Sequence, residues 1–130
     1  MNRTARFPSS DVLDAGALER LRELDPDGHN NLLARVFQAF QASAVRLMPQ
    51  LEEARRSDDW PVVRQVSHTL KSSSASIGAV KLSQLCADIE AMVRQSQTDG
   101  LAPRLDALCD EVERVLAALR RLADPHEAPP

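Results

Sequence analysis

Leu33-Ala34-Arg35-Val36-Phe37-Gln38-Ala39-Phe40-Gln41-Ala42-Ser43-Ala44-Val45-Arg46-Leu47 carries its large apolar residues at alternating steps of four and three. Leu33, Phe37, Phe40, Ala44, Leu47 and, just beyond, Leu51 fall on one side of a helix, which is a seam that must pack against other helices. The pattern predicts a helix over 31–56, capped by Asn30 or Asn31. Pro49 lies inside it and predicts a kink or a break, because proline has no N–H to donate and crowds the preceding turn.

The same rhythm recurs near the other end of the chain. Leu105, Leu108, Val112, Val115, Leu119 and Leu122 predict a helix over 102–122. Upstream, Ala17, Leu18, Leu21 and Leu24 share one side of a short helix over 15–24, with Asp14 as N-cap and Asp25-Pro26-Asp27-Gly28 as the turn that stops it. Asp58-Asp59-Trp60-Pro61 opens a further helix with an acidic cap and a first-turn proline. Its pattern runs to about Gln95, with Thr98-Asp99-Gly100 as the stop. Three long helices behind one short leading helix predict an antiparallel bundle. Residues 1–10 and 123–130 carry no periodic pattern and are expected to be flexible, leaving one domain over 11–122. Met1 and the loose tail point to a free-standing protein.

Composition agrees. The 130 residues are 43% apolar with only 3% aromatic, and Ala, Leu, Arg, Glu and Gln favour helices over sheets. No run of eighteen apolar residues offers a membrane span, and no apolar segment follows the N-terminal arginines as in a secretory signal, so a cytoplasmic protein is expected. The net charge of -3 argues against holding a nucleic-acid backbone. Cys86 and Cys109 lack metal-ligand spacing, no metal site is expected, and both read as packing thiols. The apolar seams are consumed within one bundle, which points to a monomer.

The chemistry concentrates in Val66-Ser67-His68-Thr69-Leu70-Lys71-Ser72-Ser73-Ser74-Ala75-Ser76-Ile77-Gly78-Ala79. At about 100° per residue, Val63, Leu70 and Ile77 fall within roughly 60° of Val66 and define a buried stripe, while His68 lies about 200° away on the solvent side. Lys71 and Arg64 place positive charge beside the ring, and Ser72 and Ala75 are small enough for a second protein to approach it. A free imidazole titrates near pH ~6.5, so a neutral, nucleophilic nitrogen is available at cellular pH. Most exposed helical histidines do nothing, and geometry alone places His68 among these sooner than among reactive groups. Gly78 inside a helix would lower its stability by about 1 kcal/mol and predicts close approach of another helix. His29 and His126 have no comparable setting.

The stretch His68-Thr69-Leu70-Lys71-Ser72-Ser73-Ser74-Ala75-Ser76-Ile77-Gly78-Ala79, followed by Leu82, Leu85 and Glu90, resembles the signature of histidine-containing phosphotransfer (HPt) domains. It departs from the family at Ser72, where glycine is frequent; serine is still small and can donate a hydrogen bond to phosphate. The resemblance implies an all-α antiparallel four-helix bundle with a short accessory N-terminal helix. It implies that His68 accepts a phosphoryl group from a receiver-domain aspartate and passes it to another receiver, with Lys71 supplying charge and Ser72 a small, hydrogen-bonding neighbour. The implied partners are response-regulator receiver domains and a hybrid sensor histidine kinase. No cofactor of its own is implied: Mg²⁺ belongs to the receiver, and the chain has no nucleotide motif for kinase activity of its own. The docking face is expected to include Pro61, Arg64, Gln65, Ala75, Ser76 and Ala79, with further contacts from the first two helices, and Gly78 is expected to be structural.

Three other functions compete. A helical adaptor would use the same face without chemistry and would tolerate His68→Gln. A hydrolase would need a pocket and a carboxylate converging on His68, and one helix face offers neither. A helix-turn-helix DNA binder conflicts with the acidic balance and the lack of a short glycine turn between two helices.

Overall fold

A computed structural model describes residues 12–123 of the chain. Among the described residues five helices follow one another: α1 Ala15–Glu23, α2 Leu32–Arg56, α3 Trp60–Ser76, α4 Val80–Arg94 and α5 Leu101–Ala123. The helices α2 to α5 form the four-helix bundle, packing in the ring α2–α3, α3–α4, α4–α5 and α5–α2, with α1 against α2 as the accessory element. The connectors at 57–59, 77–79 and 95–100 are short, so consecutive helices run antiparallel. The segments 1–10 and 124–130, together with His126, lie outside the described residues.

The apolar seams are buried except at their ends, where Leu33 and Leu122 are partly exposed. Phe37, Phe40, Ala44, Leu47 and Leu51 of α2 meet Val63, Val66 and Leu70 of α3, Leu82, Cys86 and Ile89 of α4, and Leu105, Leu108, Val112, Val115 and Leu119 of α5 in one core. Leu18 of α1 joins them, whereas Leu24 lies past the end of α1 and is exposed, contrary to its predicted place on the apolar side. Helix α2 runs unbroken through Pro49. That proline and Val45, whose carbonyl it leaves without an N–H partner, are both exposed, so water can reach the orphaned oxygen while Leu47 and Leu51 stay packed.

The main correction concerns the helix predicted from residue 58 to about 95, which is two helices. The chain reverses at Ile77-Gly78-Ala79. Gly78 adopts φ +76°, its N–H donates to the Ala75 carbonyl, and the Ala79 N–H donates to the Ser74 carbonyl at 2.9 Å. This is a Schellman C-cap, with glycine in the left-handed position where it carries no steric penalty. The serines ahead of it assist: Ser73, Ser74 and Ser76 hydroxyls donate to the carbonyls four residues back, which weakens a helix near its end. Gly78 also has the expected packing role. A Cβ there would lie 2.8 Å from the Ala17 Cβ, and the Gly78 carbonyl accepts from the Asp14 N–H at 2.7 Å, so α1 sits directly on the turn.

The other termini use related devices. Asp58 and Ser96, also at positive φ, close α2 and α4, so α4 ends before the predicted Thr98-Asp99-Gly100 signal. Asp14 and Asp59 cap α1 and α3 as expected. Asn31 precedes α2 with a left-handed backbone and no capping bond. The buried Asp25 caps that helix from a distance instead, accepting from the Asn30 and Leu32 N–H groups.

Candidate functional site

The reversal at Gly78 lays α4 antiparallel to α3, which brings a residue 22 positions away in sequence against His68. The Glu90 carboxylate lies across the α3–α4 groove with Oε2 2.9 Å from His68 Nδ1 and Oε1 2.7 Å from Lys71 Nζ. The Ser83 hydroxyl donates to the Lys71 carbonyl at 3.2 Å, a second tie between the two helices at this level. Leu82 and Cys86, each buried, precede Glu90 at steps of four, so the carboxylate caps the buried stripe of α4 where it reaches the surface. Its side chain is only 7% exposed, against 56% for His68.

A carboxylate only accepts hydrogen bonds, so the neutral imidazole that donates to it carries its proton on Nδ1. Nε2 then keeps its in-plane lone pair, free for a partner. The hydrogen bond from Lys71 foremost, with that from His68, holds the Glu90 carboxyl below the usual carboxylate range against the desolvation that opposes it. Arg94, one turn further along α4, brings Nη1 to 4.0 Å from Glu90 Oε2. The cluster therefore joins an imidazole, whose tautomer the carboxylate selects, to two cationic groups drawn to that same carboxylate.

Arg64, Gln65, Ser72, Ala75 and Ser76 are exposed on the side of α3 that carries His68, as is Pro61 at its start. Lys71 is partly exposed but engaged by Glu90 rather than projecting freely. Ala79 is fully buried and belongs to no docking face: helical periodicity cannot be extended past the turn at Gly78, which points it into the core. Cys86 and Cys109 are free thiols; Cys86 is buried, and desolvation pushes its thiol up to about 12, so it is an unreactive packing group.

In the sequence Glu90 stands only as the acidic residue that follows the family signature, with no role attached, and Arg94 has no place there at all. The recurrence Leu82-Cys86-Glu90 was the available signal, a charge on the continuation of an apolar stripe. The convergent carboxylate judged absent on one helix face is thus present, supplied by the neighbouring helix. It meets the Nδ1 side of the ring, and among the described residues no hydroxyl or thiol is hydrogen-bonded to the ring as a hydrolytic nucleophile would be.

An exposed imidazole held by a buried carboxylate thus stands on the surface of an antiparallel helical bundle. The model of the Hpt domain family matches residues 35–121. The chain belongs to that family and is a phosphotransfer intermediate of two-component signalling. Among solved structures it is similar to the histidine-containing phosphotransfer protein B of Pseudomonas aeruginosa PAO1, at 22% identity and a TM-score of 0.70, with 87% of this chain and 95% of that one covered. That likeness shows the shared fold. A search of curated proteins found no match.

Proposed function

We propose that His68 is the phosphoryl-bearing residue, taking the group from a receiver-domain aspartyl phosphate and passing it to a second receiver. The Nε2 lone pair attacks phosphorus, the N–P bond forms, and the acyl P–O bond breaks with its electron pair leaving on the donor carboxylate. The product ring is an imidazolium bearing phosphate on Nε2 and hydrogen on Nδ1, and the Glu90 carboxylate faces its new positive charge. Onward transfer is the reverse step to another aspartate. The observation that carries this reading is the 2.9 Å contact between Nδ1 and Glu90, which leaves Nε2 as the outward nucleophile.

Lys71 is within reach to exchange its bond to Glu90 for one to a phosphoryl oxygen, and Ser72, one turn from His68, leaves room for the approaching group. Arg64, Gln65, Ala75 and Ser76 belong to the docking face. The chain works as a carrier without ATP chemistry of its own, and Mg²⁺ and the acidic groups of the reaction come from the receiver. A hybrid sensor kinase is the upstream source.

The test is incubation with receiver domains phosphorylated by acetyl phosphate. Acid-labile, base-stable label is expected on the wild type and absent from His68→Gln, with binding to the receiver retained. Label persisting in that variant would overturn the assignment. Signalling that survives His68→Gln in cells would favour a non-catalytic adaptor.

A further inference from the structure

Beside His68, toward the start of α3 and the end of α4, lies a groove of about 700 Å³. Trp60 and Val93 contribute apolar surface to it, Arg64 and Arg94 contribute guanidinium groups, and Gln65 and Thr98 are among its uncharged polar lining. It borders the cluster of His68, Lys71 and Glu90 without including any of the three. Arg64 and Gln65 stand one turn before His68 on the same face of α3, and Arg94 approaches the same Glu90 oxygen that holds Nδ1.

The charges in this groove are not spent internally. Arg64 forms no ion pair among the described residues. Arg94 is 60% exposed, and its nearest carboxylate, at 4.0 Å, already holds His68 and Lys71. Asp59, next to Trp60 in sequence, is turned to the α3 N-terminus, where it accepts from the Val62 N–H. The chain as a whole is net acidic, at -3, so a groove with two arginines and no lining carboxylate is a local reversal of sign. Guanidinium forks match carboxylates bidentately, and an indole beside them favours an apolar side chain between the charges.

We infer that this groove is the orienting half of the docking surface, taking an acidic segment of the receiver domain in which carboxylates flank an apolar side chain. The inference rests on the phosphotransfer reading of His68. Because the groove lies at one end of the exposed face only, it sets which way the receiver lies across α3 and α4. Specificity among receivers is then written in the charge of that segment, while His68, Lys71 and Glu90 serve any receiver that docks.

The experiment follows the rate of transfer from an acetyl-phosphate-loaded receiver as a function of receiver concentration, at low and at high salt. Arg64→Glu is expected to raise the half-saturating concentration about tenfold while changing the saturated rate little, since a like charge replaces a favourable one near the edge of an interface. Thr98→Glu, which keeps both arginines and adds a repelling carboxylate, should move the same parameter in the same direction with the helical circular dichroism retained. Salt should weaken wild-type docking more than that of Arg64→Glu. Half-saturation unchanged in both variants would overturn the groove assignment. Labelling of the wild type by phosphoramidate, a small donor that needs no docking, separates the two failures. Loss of that label in His68→Gln upholds the underlying reading even if the groove fails, and its persistence overturns both.

Discussion

Replacing Glu90 by glutamine changes one atom and removes one charge, and the geometry makes its consequence calculable. The carboxylate has an oxygen for each of two donors, His68 Nδ1 at 2.9 Å and Lys71 Nζ at 2.7 Å. An amide has only one. If the amide oxygen stays on Nδ1, its NH₂ confronts the Lys71 ammonium. If it turns to Lys71, the NH₂ faces Nδ1 and selects the tautomer with the proton on Nε2, which blocks the attacking lone pair. Either way the imidazolium formed on phosphorylation loses its anionic partner. A hydrogen bond to a charged group contributes about 1.5–3 kcal/mol and a neutral one about 0.5–1.5, so the change is about 1 kcal/mol in a transition state already carrying part of that positive charge. Water competes for the half-exposed ring, and the expected outcome is transfer slowed by about three- to tenfold, at roughly 1.4 kcal/mol per decade. Single-turnover transfer from a labelled receiver measures it, with ¹⁵N spectra of the imidazole reporting the tautomer. A Glu90→Gln rate matching the wild type, with Nδ1 still protonated, would refute the role of the carboxylate.

Other consequences can be measured on the same protein. Lys71→Ala should slow transfer or shorten the phosphohistidine lifetime, because the ammonium can no longer leave Glu90 for the phosphoryl group; unchanged rate and lifetime would show its charge to be dispensable. Gly78→Ala forces a left-handed backbone on a residue with a Cβ and drives that Cβ into Ala17, so urea unfolding should show a loss of roughly 2–3 kcal/mol. The Glu90 carboxyl titrates lower when folded than unfolded, so the unfolded state binds more protons at acidic pH. Its contribution to stability is complete above the ordinary carboxylate range and is lost as pH falls through the folded value. Urea midpoints measured from neutral pH downward should therefore fall less steeply for Glu90→Gln than for the wild type. Asp25→Ala should lower stability by about 1 kcal/mol, read in the same assay, since it removes the acceptor for two N–H groups at the start of α2.

Helical class, the α2 and α5 seams and the outward position of His68 are local properties, and they were legible in the chain. Each depends on residues within a turn or two of one another, and a 3.6-residue period read over that distance accumulates little error. The segment from Trp60 to Arg94 shows where such reading fails. Both halves of it are apolar on one face, so periodicity runs through the Gly78 turn without registering it. Glycine has one signature for a tolerated mid-helix residue and for a left-handed C-cap, and only the partners of the Ala75 and Ser74 carbonyls distinguish them. The buried position of Ala79 and the capping of α2 by Asp25 were hidden for the same reason, since each depends on where the chain goes after it reverses.

His68 and its setting divide along that line. Sequence alone determined that an imidazole would stand opposite a buried stripe of α3, beside Lys71 and small residues, because helix geometry places side chains by their spacing. Tertiary structure alone decided which nitrogen of that imidazole is free. A continuous helix would have carried Glu90 roughly 33 Å from His68, at 1.5 Å per residue. The reversal at Gly78 brings it to 2.9 Å. A tautomer is set by the group facing the other ring nitrogen, and here that group comes from another helix.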